Sequence, residues 1–516
     1  MDALTSLPLD VFLLIISYLS PADTIRCRRV SRSWNAVFTD DDISRNLMRW
    51  HFPRAREMRN AVPGTLGRPG YARMFPEVAR RYLHLRAARP RMMEKIVIDA
   101  AMRQESHFYE VEPWNRQLRR NGKSSPFQYR DASWCFDDGL LVCRVSDASG
   151  YLAYDLETGH ITLVPFDGAD RTVRRVRLAH GILLIEWCER ERCCLSSSGA
   201  AIHRHFATVY DVQRPTESGP SAGWGAGPWQ IRFRSEWKLD DLGLPLNRRD
   251  RFFSAHTATH YVLYVWNHPA TTHDSEEPVE ELKIWRIDDA CAYRPSDDPT
   301  GAGMPDAAQP QPRLTRVLGR GDLRALGIRQ GKKPMLREIL LDEANVYFHE
   351  EKHMWLVASR VPYPPPRHHS VRSTGIPLSG IGPRWVDECC ADGGKIHLTF
   401  CPRAAAGAGS AALHGHGGWP GYAPCWRHDA FPYLTVSSVV DAQAGVRFAA
   451  RRCSMIEAVS SFVRPKISVS AEADGMLEMD LADDIWTHLL AKGKIAGDER
   501  WVVGEGEDGN ISIARF

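Results

Sequence analysis

This sequence of 516 residues has no long apolar run and no strong net charge, and no secretory leader is expected from its first residues. No run of about eighteen apolar residues occurs, so no helix is expected to span a membrane. The net charge is only +3, and the first residues lack the basic segment of a signal peptide. The twelve cysteines are therefore expected to be reduced thiols, which predicts a protein of the cytoplasm and/or nucleus.

Signatures of metal and nucleotide chemistry are equally scarce. No C-x-x-C pair occurs, and no phosphate-binding glycine loop is complete. One literal H-E-x-x-H motif runs from His349 to His353, and on a helix it would hold zinc with Glu350 as general base. Strand-like residues flank it at 346–348 and 355–357, so we predict a charged hairpin tip instead. No catalytic residue, metal or cofactor is therefore expected, and a zinc metallohydrolase using His349 and His353 is kept as an alternative.

Charge is spread unevenly despite the small total. Basic residues outnumber acidic residues over the first 130 positions, and acidic residues outnumber basic ones over the rest. A basic segment of this kind would suit nucleic acid, but it also suits solvated helix faces that complement an acidic protein partner. We expect the protein partner, and neither nucleic acid nor a membrane.

The N-terminal segment has the most informative pattern in the chain. Nine of the eleven residues from Leu9 to Leu19 are apolar, and at helical spacing they cover the whole circumference instead of one face. Ser20, followed by Pro21 and Asp23, predicts the start of a second helix. A short helical module cannot bury such a first helix alone, so its apolar surface predicts a partner protein.

Ordered motifs in the same segment resemble the F-box, the helical module that docks a protein onto the Skp adaptor of a cullin–RING ubiquitin ligase. They run from about Leu4 to Trp50 and comprise Leu7-Pro8, the apolar helix, Leu19-Ser20-Pro21-x-Asp23 and Val30-Ser31-x-x-Trp34. Asp10 stands where the family often has Glu, and it keeps a negative charge near the helix start. The resemblance implies that the adaptor-binding residues are Leu7, Pro8, Leu9, Val11, Phe12, Ile15, Ile16, Leu19, Val30 and Trp34.

From about residue 131 the pattern changes to short apolar strands separated by turns. Paired strands are predicted at 140–145 with 151–156, at 182–187 with 207–212, and at 261–266 with 282–287. Such units, repeated to the C-terminus, predict a β-propeller of six to eight blades, and the sequence resembles fungal-type F-box proteins with a propeller-like C-terminal region. A pair of β-sandwiches is the alternative. The alternating strand from Ile511 to Phe516 is expected to pair with 134–145 and close the domain.

The predicted fold class is α+β multidomain, with an F-box at residues 1–50, a helical connector at 51–130 and a β-propeller-like substrate-binding domain at 131–516. The resemblance implies a non-catalytic, substrate-recognition subunit of a Skp–cullin–F-box E3 ubiquitin ligase. In such a complex the F-box binds the Skp adaptor, and the β-domain binds a protein target that is marked for proteasomal degradation. An F-box protein that acts with the adaptor outside a ligase is the alternative.

Overall fold

The computed structural model describes residues 7–59, 70–97, 109–111, 128–130, 134–144, 150–195, 199, 201–214, 229–243, 251–267, 277–306, 310–332, 335–355, 367–380, 385–389, 433–441, 443–453, 466–471, 478–482, 484–490, 494–506 and 508–516. The chain divides into two compact units: Met1–Val97, Glu217–Trp224 and Thr435–Phe516 form the first, and Ile98–Thr216 and Gly225–Leu434 form the second. No helix within the described ranges combines the length and the apolar content that a membrane crossing needs.

The first unit begins with a group of helices. They are α1 Leu9–Ile16, α2 Pro21–Cys27, α3 Arg32–Phe38, α4 Asp41–His51, α5 Arg56–Arg59 and α6 Tyr71–Arg86. Side-chain caps set the starts of α2, α3 and α4, because the first N–H groups of a helix have no partner inside it. The Ser20 hydroxyl accepts from the Asp23 N–H at 3.1 Å, which confirms the predicted start of α2. The Ser31 hydroxyl accepts from the Trp34 N–H at 3.2 Å and starts α3 in the same way.

The predicted helical connector, residues 51–130, is helical only as far as Arg86 among its described residues. Beyond α6 lie β1 Met92–Ile96 and a small hairpin of β2 Tyr109–Val111 and β3 Gln128–Arg130. The prediction is therefore wrong for 92–96. Strand β1 is extended because it pairs along its whole length with the last strand of the chain. The sequence around residues 92–96 does not predict this long-range contact.

Besides the β2–β3 hairpin, the second unit contains four larger antiparallel sheets in its described part. The first two consist of β4 Cys135–Asp137, β5 Leu140–Arg144, β6 Tyr151–Asp155 and β7 Ile161–Val164, then β8 Arg171–Ala179, β9 Ile182–Glu189, β10 Cys194–Leu195, β11 Ala201–Gln213 and β12 Gln230–Gly243. The third consists of β13 Arg251–His256, β14 His260–Asn267, β15 Val279–Arg286 and β16 Arg313–Leu318, and is followed by helix α7 Arg320–Ala325. The fourth consists of β17 Leu336–Leu341, β18 Asn345–Trp355, β19 Arg367–Pro377 and β20 Trp385–Cys389.

The first unit holds two further four-stranded sheets. One is β21 Tyr433–Asp441, β22 Val446–Cys453, β23 Lys466–Ala471 and β24 Glu478–Asp480, followed by helix α8 Ile485–Leu489. The other has the order β1–β27–β26–β25, with β25 Ile495–Gly497, β26 Trp501–Glu505 and β27 Ile511–Arg515. The register of β1 on β27 runs from Met92 opposite Arg515 to Ile96 opposite Ile511. The predicted partner of this last strand, residues 134–145, is wrong, because 92–96 takes that place.

The six larger sheets are the six blades of a β-propeller, so the alternative of two β-sandwiches is wrong. Strand β9 shows why the strands have nearly continuous apolar sequences. Leu183, Ile185 and Trp187 lie in a core shared with the β4–β7 sheet, whereas Ile182 and Leu184 lie in a core shared with the β13–β16 sheet. Since both faces of such a blade are covered, alternate positions on both sides must be apolar.

The H-E-x-x-H motif is not at a hairpin tip, as the sequence had suggested. Residues 349–353 lie inside β18, which pairs with β19 without interruption from Asn345 to Trp355. Polar side chains are tolerated here because they find partners: the Gln330 side-chain amide donates to Glu350 Oε1 at 2.6 Å. Four residues of strand separate His349 from His353 by about 13 Å, so the helical arrangement that would hold zinc is not formed.

Candidate functional site

Helix α1 is fixed by one of its apolar stripes. Phe12 and Ile16, four residues apart, are buried, and the Phe12 ring packs edge-on against Phe38 of α3 with ring centroids 5.6 Å apart. Asp10 lies in the first turn, where a carboxylate interacts favourably with the exposed N–H groups of the helix. The helix is therefore anchored from one side only.

The other stripe of α1 faces solvent. Leu14 is 61% exposed and Tyr18, just beyond the helix, is 84% exposed, and Leu9, Val11 and Ile15 are exposed as well. Large apolar side chains grouped on one helix face are unusual on the surface of a soluble protein and are typical of a binding site. By helical spacing Val11, Leu14, Ile15 and Tyr18 share this stripe, whereas Leu9 is exposed at the start of the helix on the side of Phe12 and Ile16. The exposed apolar surface made of these four residues together with Leu9 is called the α1 face below.

The predicted adaptor-binding residues divide into three groups by burial. The structure leaves Pro8, Leu9, Val11, Ile15 and Val30 exposed, holds Leu7, Leu19 and Trp34 half-buried, and buries Phe12 and Ile16. Phe12 and Ile16 thus hold α1 on the module and present no surface to a partner in this conformation. That the other eight residues contact an adaptor stays a prediction.

Leu14 and Tyr18 belong to the same exposed face but were absent from the predicted set. Their helical spacing from Val11 places them on one stripe, and this spacing was the available signal. An all-round apolar helix gives no means of deciding which stripe turns outward, because that choice depends on Phe38, a residue of another helix.

Charged side chains lie along α2, the helix that follows α1. Arg26 Nη1 donates to Asp23 Oδ1 at 2.8 Å, and the hydrogen bonds from Ser20 and Arg26 lower the pKa of Asp23. Arg28 turns the other way: its Nη1 donates to the Ala72 carbonyl at 3.2 Å, and burial lowers its pKa. Arg28 therefore fastens the first helices to α6.

Helix α6 is in turn fastened to the last blade by buried charge. Glu499, in the turn before β26, accepts from the Tyr82 hydroxyl at 2.7 Å and from the Arg56 N–H at 2.8 Å. Arg81 donates to both carboxylate oxygens of Glu57 at 2.9 and 2.7 Å and lies 3.6 Å from Glu499. This set of residues, Arg56, Glu57, Arg81, Tyr82 and Glu499, is called the anchor cluster below.

The pKa values of the anchor cluster follow from burial and charge together. Burial alone would lower the pKa of Arg81, but Glu499 and Glu57 outweigh it and the pKa lies above the ordinary value. Burial likewise opposes ionisation of Glu57, yet hydrogen bonds and charge from Arg81 bring its pKa below the ordinary value. Burial and the Glu499 charge raise the pKa of Tyr82. Each group is thus held in the form that makes its hydrogen bonds.

Among the residues that the structure describes, no group of three or more His, Cys, Asp or Glu side chains is arranged to hold a metal ion. His349 contacts the Ser373 hydroxyl at 3.3 Å. The site with a distinct physical signature is the α1 face, an apolar surface on a module whose later helices are hydrogen-bonded to the last blade.

Comparison with protein-family models identifies the segment that contains the α1 face. Residues 4–49 match the family model described as F-box-like. The N-terminal helices are an F-box-like domain. The match ends within α4, so α5 and α6 lie outside it, and the α1 face lies wholly inside it.

Whole-chain comparisons add little to this. No curated protein matches the sequence. A chain in the crystal structure of the mitotic checkpoint complex is 9% identical, with 83% of this chain and 95% of that chain covered and a TM-score of 0.26. The β-propeller domain of Cps50 (Swd1) from Myceliophteria thermophila is 8% identical, with 75% and 83% covered and a TM-score of 0.24. Scores this low establish no common fold, and the propeller is recognised from its own six sheets.

Proposed function

We propose that this protein is a substrate-recognition subunit of a Skp–cullin–F-box ubiquitin ligase. The F-box-like domain binds the Skp adaptor through the α1 face, and the propeller binds a protein target that is then degraded by the proteasome. The protein works in the cytoplasm, the nucleus or both, where the other ligase subunits and reduced cysteines are found. The observation that carries the proposal is the row of exposed apolar side chains on a domain of the F-box-like family.

Energetics support the α1 face as a protein-binding surface. Burying one Leu, Ile or Val side chain stabilises a complex by about 1.5–3 kcal/mol. Leu9, Val11, Leu14 and Ile15 are partly exposed, and the burial of their remaining surface would offset part of the cost of association. Tyr18 adds an aromatic side chain of the kind that is enriched at the centres of interfaces.

The proposed mechanism needs no catalytic residue in this chain. Ubiquitin transfer belongs to the other subunits and the recruited E2 enzyme, and this protein raises the effective concentration of target lysines near that enzyme. Such a role requires that the adaptor-binding module keep a fixed position on the protein that carries it. The anchor cluster and the Arg28–Ala72 hydrogen bond supply that attachment within the first unit.

Adaptor binding is tested with a matched pair of variants. Leu9 on α1 and Leu83 on α6 are both 57% exposed leucines. We expect Leu9→Asp to weaken binding of purified Skp adaptor at least about tenfold. The substitution removes a leucine that the complex would bury and places a charge in the interface. Leu83→Asp should leave the affinity within about twofold. Isothermal titration calorimetry measures both, and equal affinities for Leu9→Asp and wild type would refute adaptor binding by this face.

Ligase membership is tested separately from adaptor binding. In size-exclusion chromatography of a mixture of this protein, the adaptor and cullin, we expect all three to elute as one complex. With Leu9→Asp, this protein should elute separately from the adaptor and cullin. A stable adaptor complex from which cullin is always absent would favour the alternative, an F-box protein that acts outside a ligase. The zinc metallohydrolase alternative requires stoichiometric zinc that is lost in His353→Ala, together with peptidase activity.

A further inference from the structure

Two adjacent cysteines in the second unit stand apart from the α1 face. Cys193 and Cys194 are exposed free thiols, whereas Cys135, Cys143 and Cys188 are buried. They lie between β9 and β11, where the short strand β10 pairs with the start of β11. Both sulfurs are therefore open to reagents in the solvent.

The backbone turns the two thiols towards each other. In a regular strand, neighbouring side chains point to opposite faces, but Cys193 lies just before β10. Its N–H donates to the Ile202 carbonyl at 2.8 Å, and its thiol donates to the same oxygen at 3.3 Å. As a result the Cys193 and Cys194 sulfurs lie 3.7 Å apart.

This spacing suits a bridging atom better than a direct disulfide bond. A disulfide places its sulfurs about 2.05 Å apart and its Cα atoms at least about 4.4 Å apart. Adjacent Cα atoms across a trans peptide are only about 3.8 Å apart, so a bond between neighbours is strained. Two thiolates on one tetrahedral metal ion, with bonds of about 2.3 Å, lie about 3.8 Å apart, close to the observed 3.7 Å.

We propose that Cys193 and Cys194 form a dithiol site that binds one thiophilic atom, trivalent arsenic or a soft divalent metal ion, across both sulfurs. With an organoarsenic oxide, two S–H bonds and the As=O bond are lost, two As–S bonds form and one water leaves. No oxidant is needed, because arsenic and sulfur keep their oxidation states. With a metal ion, both thiols release their protons to solvent.

Protonation separates the two classes of ligand. A cysteine thiol ordinarily has a pKa of about 8.5, so the thiol form predominates at neutral pH. Cadmium affinity should therefore increase as the pH rises from about 6 to 8, since binding must displace protons. The organoarsenic reaction consumes its own protons in forming water, and its affinity should change much less over this range.

The probe for arsenic is phenylarsine oxide, applied to the full chain. Trypsin cuts after Arg192 and Arg204, so both cysteines leave in the single peptide 193–204. We expect one phenylarsenic adduct on this peptide in the intact protein. Cys193→Ser and Cys194→Ser should each weaken binding at least about a hundredfold, because a single thiol lacks the effective concentration that the second sulfur provides.

Cys291→Ser is the matched control, since Cys291 is half-buried and has no neighbouring cysteine in the sequence; the adduct should persist unchanged. Blocking the wild-type thiols with N-ethylmaleimide should prevent the adduct and tests the site without any substitution. An adduct on 193–204 that survives either serine substitution at the same affinity would overturn the proposal, as would its absence from the wild-type peptide. In the metal arm, one cadmium ion per chain that is lost in both serine variants supports it, and cadmium retained in both contradicts the metal half.

Discussion

Helices α1 and α6 have similar apolar residues and very different surroundings. α6 buries Phe75, Val78, Tyr82 and Leu85 between α4 and the last blades. α1 buries only Phe12 and Ile16 and leaves a whole apolar stripe in solvent. Burial of one such side chain stabilises a protein by about 1.5–3 kcal/mol, so α6 contributes strongly to the stability of the fold. The exposed apolar side chains of α1 contribute such stabilisation only when a partner buries them.

The difference in burial arises from the residues that each helix packs against. The aromatic ring of Phe52, at the end of α4, lies 6.1 Å from Phe75 and 5.0 Å from Tyr82, so α6 has a core on one side. On another side it has the anchor cluster. On α1, the Phe12 ring packs against Phe38, while the α1 face is exposed. The variants below either remove the support of α6 or test whether the α1 face is packed in the free protein.

The largest effect should come from removing Gly509–Phe516. This deletion takes away β27, which is hydrogen-bonded to both β26 and β1, and β1 follows α6 directly. Two edges of unpaired strand would then be exposed. We expect insoluble or protease-sensitive protein, measured by limited proteolysis.

The matched deletion removes Gly301–Gln309. Its described part, residues 301–306, is mostly exposed and lies outside the strands, so the chain should stay soluble and resistant. A 509–516 deletion that melts at the same temperature as the full chain would mean that α6 and β1 do not depend on the last strand, and the comparison between the helices would lose its basis.

Phe75→Ala and Tyr18→Ala test the two helices directly. Phe75 is fully buried, and its truncation should destabilise the first unit by about 3–5 kcal/mol. Tyr18 is almost fully exposed, so its truncation should change stability by less than about 0.5 kcal/mol. Hydrogen exchange of peptides from α6 and α1 measures both, and a comparable loss for the two variants would show that Tyr18 is already packed in the free protein.

The sequence predicted α1 as a helix but not its orientation. Periodicity fails there because both stripes, Phe12 with Ile16 and Val11 with Leu14, are equally apolar. Only the aromatic contact with Phe38 decides between them. In α6 the choice was easier, since Phe75, Val78, Tyr82 and Leu85 alternate with arginines. The sequence therefore predicted the segment that forms the F-box-like domain, but it did not tell which face of α1 is exposed.

Strands fixed by distant partners escaped the sequence reasoning. Residues 92–96 carry no strong strand pattern, and they are extended because β27 pairs with them from the other end of the chain. The run from His349 to His353 is polar throughout and suggested a turn, but β19 pairs with it as a continuous ladder. Local propensity is weak compared with such pairing. Blades with both faces covered, such as that of β9, were predictable from their apolar runs.

Neighbouring arginines of α6 give a third, smaller contrast. Arg81 is buried between Glu57 and Glu499, whereas the Arg80–Glu77 pair, 3.8 Å apart, is exposed. Arg81→Met should destabilise the attachment of α6 by about 3 kcal/mol, because two buried carboxylates lose a cation. Arg80→Met should cost less than about 1 kcal/mol. Hydrogen exchange of peptides from α6 measures both effects. Equal increases in exchange rate for the two variants would contradict the proposal that the anchor cluster holds α6 in place.

The smallest expected effect is a decrease, at acid pH, in the stability that Glu57 of the anchor cluster contributes. The pKa of Glu57 is lower in the folded protein than its ordinary value. A carboxylate with a lowered folded-state pKa contributes stability above its unfolded pKa, about 4.3, and that contribution is lost as the pH falls through the folded value. The stability advantage of wild type over Glu57→Gln should therefore be full at pH 7 and should shrink below about pH 4.3. Glu77→Gln, in the exposed pair, should track wild type throughout. Thermal melts of the three proteins from pH 7 downwards decide the point: an advantage that stays constant into acid, or that grows there, would show that the Glu57 charge does not hold α6 in place.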